Sequence, residues 1–194
     1  MFRFSSTHAD VRFPELPEAI EANVRAYLTL DDLDCAAASA DVTRARRLAS
    51  NEISAALQAI GYYNPEFDLA FDQNEDCWQA TLSLEPGEPV RYRNVSIEVQ
   101  GAGEQDIRLR DEVSKAPTVG SVLHHGDYTT FKRSLQRMLA ARGYVESRIE
   151  PSELLVQPSE SSVDMEMVVY TGPRYSVGQV MIDATVFGAG VLDR

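Results

Sequence analysis

Ala55-Ala56-Leu57-Gln58-Ala59-Ile60-Gly61-Tyr62-Tyr63 is the stretch whose reading decides the fold. Its apolar residues keep helical spacing up to a glycine. The aromatics beyond lead into an alternating segment, so the stretch reads as helix, stop, strand. The same signal returns as Met138-Leu139-Ala140-Ala141-Arg142-Gly143-Tyr144, and Gly143 stands 82 residues after Gly61. A second landmark has nearly the same period. Gly87 precedes Pro89, Val90 and Tyr92, with Val95 and Ile97 beyond. Gly172, 85 residues later, precedes Pro173 and Tyr175, with Val180 and Ile182 beyond. Two independent marks at one period predict a duplicated domain.

Working outward, the first copy opens with a short alternating strand at Asp10–Phe13. A helix follows from Leu16-Pro17-Glu18, with proline and an acid suited to its first turn. Ile20, Val24, Tyr27 and Leu28 share one face of it. Thr29–Ala40, acidic and alanine-rich, reads as a loop, and Asp41 as the N-cap of a second helix. Leu48, Ala49, Ile53, Ala56, Leu57 and Ile60 form that helix's predicted buried stripe. Phe67, Leu69 and Phe71, then Trp78, Ala80, Leu82 and Leu84, alternate with polar residues on two strands of a hairpin turning at Gln73–Asp76. The order is strand, helix, helix, strand, strand.

The second copy repeats it. Val95, Ile97 and Val99 mark a strand, Gln105–Ser114 a short helix and Lys115–Gly126 a loop. Asp127 is the expected cap of a helix carrying Tyr128, Phe131, Leu135, Met138 and Leu139. A strand over Ser152–Gln157 follows Pro151, which suits an edge rather than a sheet centre. Val163, Met165, Met167 and Val169 mark the last strand. Val177–Ile182 reads as the first strand of a third unit. The chain stops at Arg194 before that unit buries anything, which predicts a fragment of a longer protein.

Composition narrows the function. At 194 residues, a period near 82 favours two small domains with modest cores. A net charge of −12 argues against nucleic acid and anionic lipid surfaces, both of which need Lys/Arg patches. No run of about 18 apolar residues is present to span a bilayer as a helix. Met1–Thr7 lacks the apolar core of a signal peptide. Two readings stay open: a cytosolic protein, or one whose signal was removed before an added Met1. Cys35 and Cys77 permit one disulfide or two free thiols.

The sequence carries no recognisable reactive centre. Adjacent His124 and His125 point to different sides of a helix or strand, a poor pair for one metal, and no Cys/His/carboxylate set has ligand spacing. Gly101-Ala102-Gly103 lacks the third glycine of a dinucleotide turn. No nucleophile motif occurs. The sequence therefore predicts no catalytic, cofactor or metal residues and no enzyme. It predicts instead a binding module. A three-stranded sheet covered on one face by two helices keeps two edges, and an unprotected edge can receive a partner's strand. The strands after Gly61 and Gly143 are the candidate edges: Glu66, Phe67, Asp68, Leu69, Ala70 and Phe71 in the first copy, Glu153, Leu154, Leu155 and Val156 in the second.

The tandem pattern, with Gly-Tyr after each second helix, resembles POTRA domains. These are periplasmic modules of the outer-membrane β-barrel insertase and transporter superfamily. The likeness is strongest to its TamA-type family, and covers nearly the whole chain from Asp10. It is carried by Val24-Arg25-Ala26-Tyr27-Leu28, Ala59-Ile60-Gly61-Tyr62-Tyr63 and Arg142-Gly143-Tyr144. Gly172-Pro173-Arg174-Tyr175-Ser176-Val177-Gly178 adds to it. Gly120-Ser121-Val122-Leu123-His124-His125-Gly126-Asp127-Tyr128 with Phe131-Lys132-Arg133-Ser134-Leu135 is its most specific part. The pair His124-His125 departs from the polar pair expected there.

The resemblance implies an α+β chain of two tandem POTRA domains, at 8–88 and 89–174, each with a three-stranded mixed sheet, and the truncated start of a third at 175–194. It implies a removed signal peptide, a location on the periplasmic face of the outer membrane, and a C-terminal membrane β-barrel in the full-length chain. The implied role is assembly of outer-membrane proteins such as autotransporters. The implied partners are an inner-membrane-anchored TamB-like subunit and unfolded outer-membrane clients. An oxidising periplasm favours a Cys35–Cys77 disulfide, since in this topology the helix–helix loop and the hairpin tip lie at the same end. An array from the general outer-membrane insertase or a two-partner secretion transporter is the alternative; a cytosolic α+β enzyme or ligand-binding protein is the contrasting class.

Overall fold

The computed structural model of the chain describes residues 9–30, 33–73 and 77–179. Two copies of one arrangement follow each other. The first comprises β1 (Asp10–Arg12), α1 (Glu18–Tyr27), α2 (Ser39–Ala59), β2 (Glu66–Gln73) and β3 (Trp78–Glu85). The second comprises β4 (Arg91–Gln100), α3 (Ile107–Val113), α4 (His125–Ala141), β5 (Arg148–Gln157) and β6 (Ser162–Tyr170). Each sheet is mixed, with the last strand at its centre: the orders are β1-β3-β2 and β4-β6-β5. The first strand runs parallel to the central one and the hairpin strand antiparallel.

Each sheet buries one face. In the first copy Val11, Leu69, Ala80, Leu82 and Leu84 meet Ile20, Val24, Ala49, Ile53 and Leu57 from the helices. In the second Val163, Met165, Met167 and Val169 meet Leu109, Phe131, Leu135 and Leu139. There are thus two cores, one per copy, as alternating strands and amphipathic helices dictate. A disulfide joins Cys35, in the α1–α2 loop, to Cys77, which leads into β3.

Both long helices end in one way. Tyr62 N–H donates to Leu57 O (2.9 Å) and Gly61 N–H to Gln58 O (3.0 Å); Tyr144 and Gly143 repeat this on Leu139 and Ala140. These are paired C-terminal closures through a left-handed glycine, with φ +94° at Gly61 and +89° at Gly143.

Several expectations are corrected. α2 begins at Ser39 with Ala38 as its cap, so Asp41 lies in the first turn. There its carboxylate still favours the positive end of the helix and pairs with Arg44 at 3.5 Å. α4 likewise begins earlier than Asp127: the N–H groups of Asp127 and Tyr128 both donate to His124 O, which makes His124 the cap. Leu48 and Tyr27 are exposed rather than buried. Leu48 lies one residue, about 100°, off the stripe Ala49–Ile53–Ala56 that faces the sheet. β5 starts at Arg148, not Ser152, and its pairing with β6 shifts between Ile149 and Ser152. Residues 171–179 form no strand. The rest of the expected third-unit strand, 180–182, lies outside the described residues.

Candidate partner-binding edges and the junction between copies

A strand edge is a row of backbone donors and acceptors, and what covers it decides whether it can bind. The four outer strands are not equally open. β1 is brief, and beside it Ala9 N–H donates to Leu33 O (2.8 Å). The start of β4 is covered by residues 118–123, which run back along it. Tyr92 N–H donates to Ser121 O (3.0 Å), Gly120 N–H to Tyr92 O (2.7 Å), and Arg91 bridges to Val122. β2 and β5 differ. Each is paired on one side only, to β3 and β6, and no loop backbone among the described residues bonds to the other side.

The sequence-derived site residues lie on these two strands. Glu66, Asp68 and Ala70 are exposed on β2, while Phe67 and Phe71 are half-buried and Leu69 buried on the helix side. On β5, Glu153 and Leu155 are exposed and Leu154 and Val156 half-buried toward the helices. The structure keeps the two sets on separate sheets. Pro151 within β5 offers no backbone donor.

What sequence reading missed is the junction. Val90 N–H donates to Gly61 O (2.8 Å), and Leu123 N–H donates to Val90 O (2.8 Å), so the end of α2 is laced to the loop before α4. A Cβ on Gly61 would lie 2.6 Å from Leu123 O. Tyr63 packs on the second core, and its Oη lies 2.6 Å from His125 Nε2. Asn64 Nδ2 donates to Pro158 O (2.9 Å). The two motifs that single out the sequence, Gly61-Tyr62-Tyr63 and Gly120–Tyr128, are therefore one contact. The closure recurs at Gly143, whose carbonyl accepts from Tyr175 N–H (2.8 Å) while Tyr175 Oη donates to Glu146 (2.5 Å).

Two acids stabilise the second copy. Asp106 caps α3 by accepting from Arg108 N–H (3.0 Å), and also accepts from Arg142 Nη2 (3.0 Å) and Tyr144 Oη (3.1 Å). Burial pushes its pKa up, but the bonds from Arg142, Tyr144 and Arg108 outweigh that and hold it below the usual carboxylate range. Glu112, buried, accepts from Lys115 Nζ (2.7 Å) and Ser134 Oγ (2.5 Å). Among the described residues no three His, Cys, Asp or Glu side chains stand together to hold a metal. No helix among them is long and apolar enough to cross a membrane.

Comparison with known proteins gives one family match: residues 16–86 fit the family described as POTRA domain, TamA domain 1. Among solved structures, POTRA3–5 of BamA from Haemophilus influenzae aligns with 15% identity and TM-score 0.48. That alignment covers 95% of this chain and 74% of that one. POTRA1–3 of Omp85 from Anabaena aligns with 14% identity and TM-score 0.40, covering 84% and 59%. The N-terminal domain of Omp85 from Thermosynechococcus elongatus aligns with 13% identity and TM-score 0.41, covering 84% and 61%. The chain thus spans about three quarters of the first and three fifths of the other two.

Proposed function

We propose, from the match of residues 16–86 to the family described as POTRA domain, TamA domain 1, that the chain is a periplasmic binding and scaffold module. In this reading it serves an outer-membrane protein assembly machine of the TamA type, with autotransporters among the clients, and has no catalytic role. It takes an extended segment of a partner or client by strand addition. The partners are an inner-membrane-anchored TamB-like subunit and unfolded outer-membrane clients, held next to a β-barrel of the same full-length protein.

One observation supports the reading above the rest: among the described residues no loop backbone bonds to the outer side of β2 or β5, while loop backbone bonds beside β1 and along the start of β4. Main-chain pairing then supplies affinity with little demand on sequence, which suits a module that handles many clients. The test is photocrosslinking in cells from a probe placed at Ala70 on β2, Leu155 on β5 or Thr81 on the central β3. All three positions are exposed. Crosslinks to other proteins at Ala70 or Leu155 but not at Thr81 are expected. Crosslinking equal at all three would remove strand addition.

A further inference from the structure

The outer edge of β2 carries one sign of charge. On the sheet face away from the helices, Glu66, Asp68 and Asp72 are exposed, with Ala70 between them. Same-face positions on a strand recur every ~6.6 Å. β3 adds exposed Glu85, directly opposite Glu66. Like charges in that relation repel. None of the four is in an ion pair among the described residues. The basic residue of this face, Arg12, lies across the sheet on β1, where its guanidinium donates to the Gln79 amide oxygen. Arg46 lies on the helix side, over the Phe71 ring.

Charged side chains blunt an edge against identical copies, and do so most strongly where they are all of one sign rather than mixed. β5 is of the mixed kind. Its open face presents Arg148, exposed Leu155 and Glu153, the last opposite exposed Glu166, so one base stands among its acids; its register breaks near Pro151, and nearby Arg93 pairs with Asp164 and Glu160. β2 keeps unbroken register with β3 from Glu66 to Gln73 and has no proline. The imbalance extends through the copy. Residues 8–88 hold sixteen Asp/Glu against five Lys/Arg, a net of −11, whereas 89–174 hold twelve against eleven. An edge of one sign rejects its own copies and acidic strands and admits a basic one.

We propose that β2 is the receiving edge, and that its occupant is an extended segment of another polypeptide alternating Lys or Arg with apolar residues. The basic side chains lie beside Glu66, Asp68 and Asp72. The apolar ones lie beside Phe67, Leu69 and Phe71 on the helix side. The inference rests on the strand-addition reading above and adds the chemistry of the strand and the choice between the two edges.

The experiment is calorimetry and amide hydrogen exchange on the whole chain with two short peptides, one alternating Val and Lys, the other Val and Glu. The Val-Lys peptide is expected to bind, to weaken as salt rises, and to slow exchange along β2 but not β5. The Val-Glu peptide is expected not to bind. Glu66→Gln with Asp68→Asn and Asp72→Asn should weaken the Val-Lys complex about tenfold. Glu66→Lys with Asp68→Lys and Asp72→Lys should transfer binding to the Val-Glu peptide. Circular dichroism of the free variants separates lost folding from lost charge, and the two peptides on the unaltered chain decide alone if a variant unfolds. Equal protection of β2 by both peptides would leave strand addition standing and overturn the charge selection. Protection of β5 instead would overturn the choice of edge. Binding without protection of either strand would overturn both inferences.

Discussion

Tyr63 Oη and His125 Nε2 meet at 2.6 Å across the boundary between the copies. Burial keeps Tyr63 protonated by raising its pKa. Burial first, and the adjacent His124 charge second, hold His125 below its usual 6.5. The phenol therefore donates to a neutral imidazole, and the contact fixes His125 at the first turn of α4.

The sign of the pH effect follows. As pH falls, the unfolded chain, with its ordinary imidazole, takes up the proton before the folded chain does. Stability is full above 6.5 and is lost as pH drops from there through the depressed folded value. Urea unfolding compared at about pH 7.5 and about pH 5 should show that loss. Tyr63→Phe should cost about 1 kcal/mol at neutral pH. His125→Gln should flatten the pH dependence near 6 to 7, and an unaltered slope in that variant would contradict the assignment.

Gly61→Ala combines two penalties. The residue sits at φ +94°, and the new Cβ would meet the Leu123 carbonyl at 2.6 Å, a backbone atom that cannot swing away. A loss of roughly 2–4 kcal/mol is expected from urea unfolding. Because the clash is with the other copy, the variant should also alter the solution scattering profile before unfolding. Gly120→Ala makes the control. Its φ is +86° with nothing within 4 Å of an added Cβ, so it should cost only the backbone strain and leave the profile unchanged.

How much of this was legible beforehand depends on the range of the interaction. The order of elements was, because Ile53–Ala56–Leu57 and Phe67–Leu69–Phe71 obey helix and strand periods that no neighbour has to supply. So was the edge place of β5, since Pro151 has no N–H to give a central ladder. The helix starts were not. Nothing in Ala38-Ser39-Ala40 outranks Asp41 as a cap, and the choice fell to how the preceding loop reaches α2. The junction was illegible for a different reason. Gly61 and Tyr62 read as a helix stop, and His124-His125 as an odd pair, until the fold brought Leu123 and His125 onto them. A contact between residues 62 apart leaves no periodic trace.

The Cys35–Cys77 bridge spans 42 residues and ties the α1–α2 loop to the hairpin of the first copy. Cross-linking a loop of that length restricts the unfolded chain, worth about 2–4 kcal/mol. Cys35→Ala with Cys77→Ala, or reduction with dithiothreitol, should lower the unfolding midpoint of the first copy. Hydrogen exchange should locate the loss in α1, α2 and β2. Equal loosening of β5 and β6 would mean that the copies unfold as one unit instead.

Glu112 gives the sharpest energetic test, because its exposure is 4% and both its bonds are to side chains. The bond from Lys115, then that from Ser134, lower its pKa against the opposing effect of burial. A carboxylate lowered in the fold contributes stability present above the ordinary 4.5, lost as pH falls through the folded value. Glu112→Gln keeps the volume and loses the charge-assisted bond, and should cost about 1–3 kcal/mol at pH 7 and less near pH 4. Ser134→Ala leaves the carboxylate with Lys115 and should cost about 1 kcal/mol. Glu112→Leu with Ser134→Ala removes both partners and their desolvation together. It should therefore be less damaging than the sum of Glu112→Leu and Ser134→Ala measured singly. Strict additivity in that double-mutant cycle would show that Ser134 and Glu112 do not act as a pair holding α4 against α3.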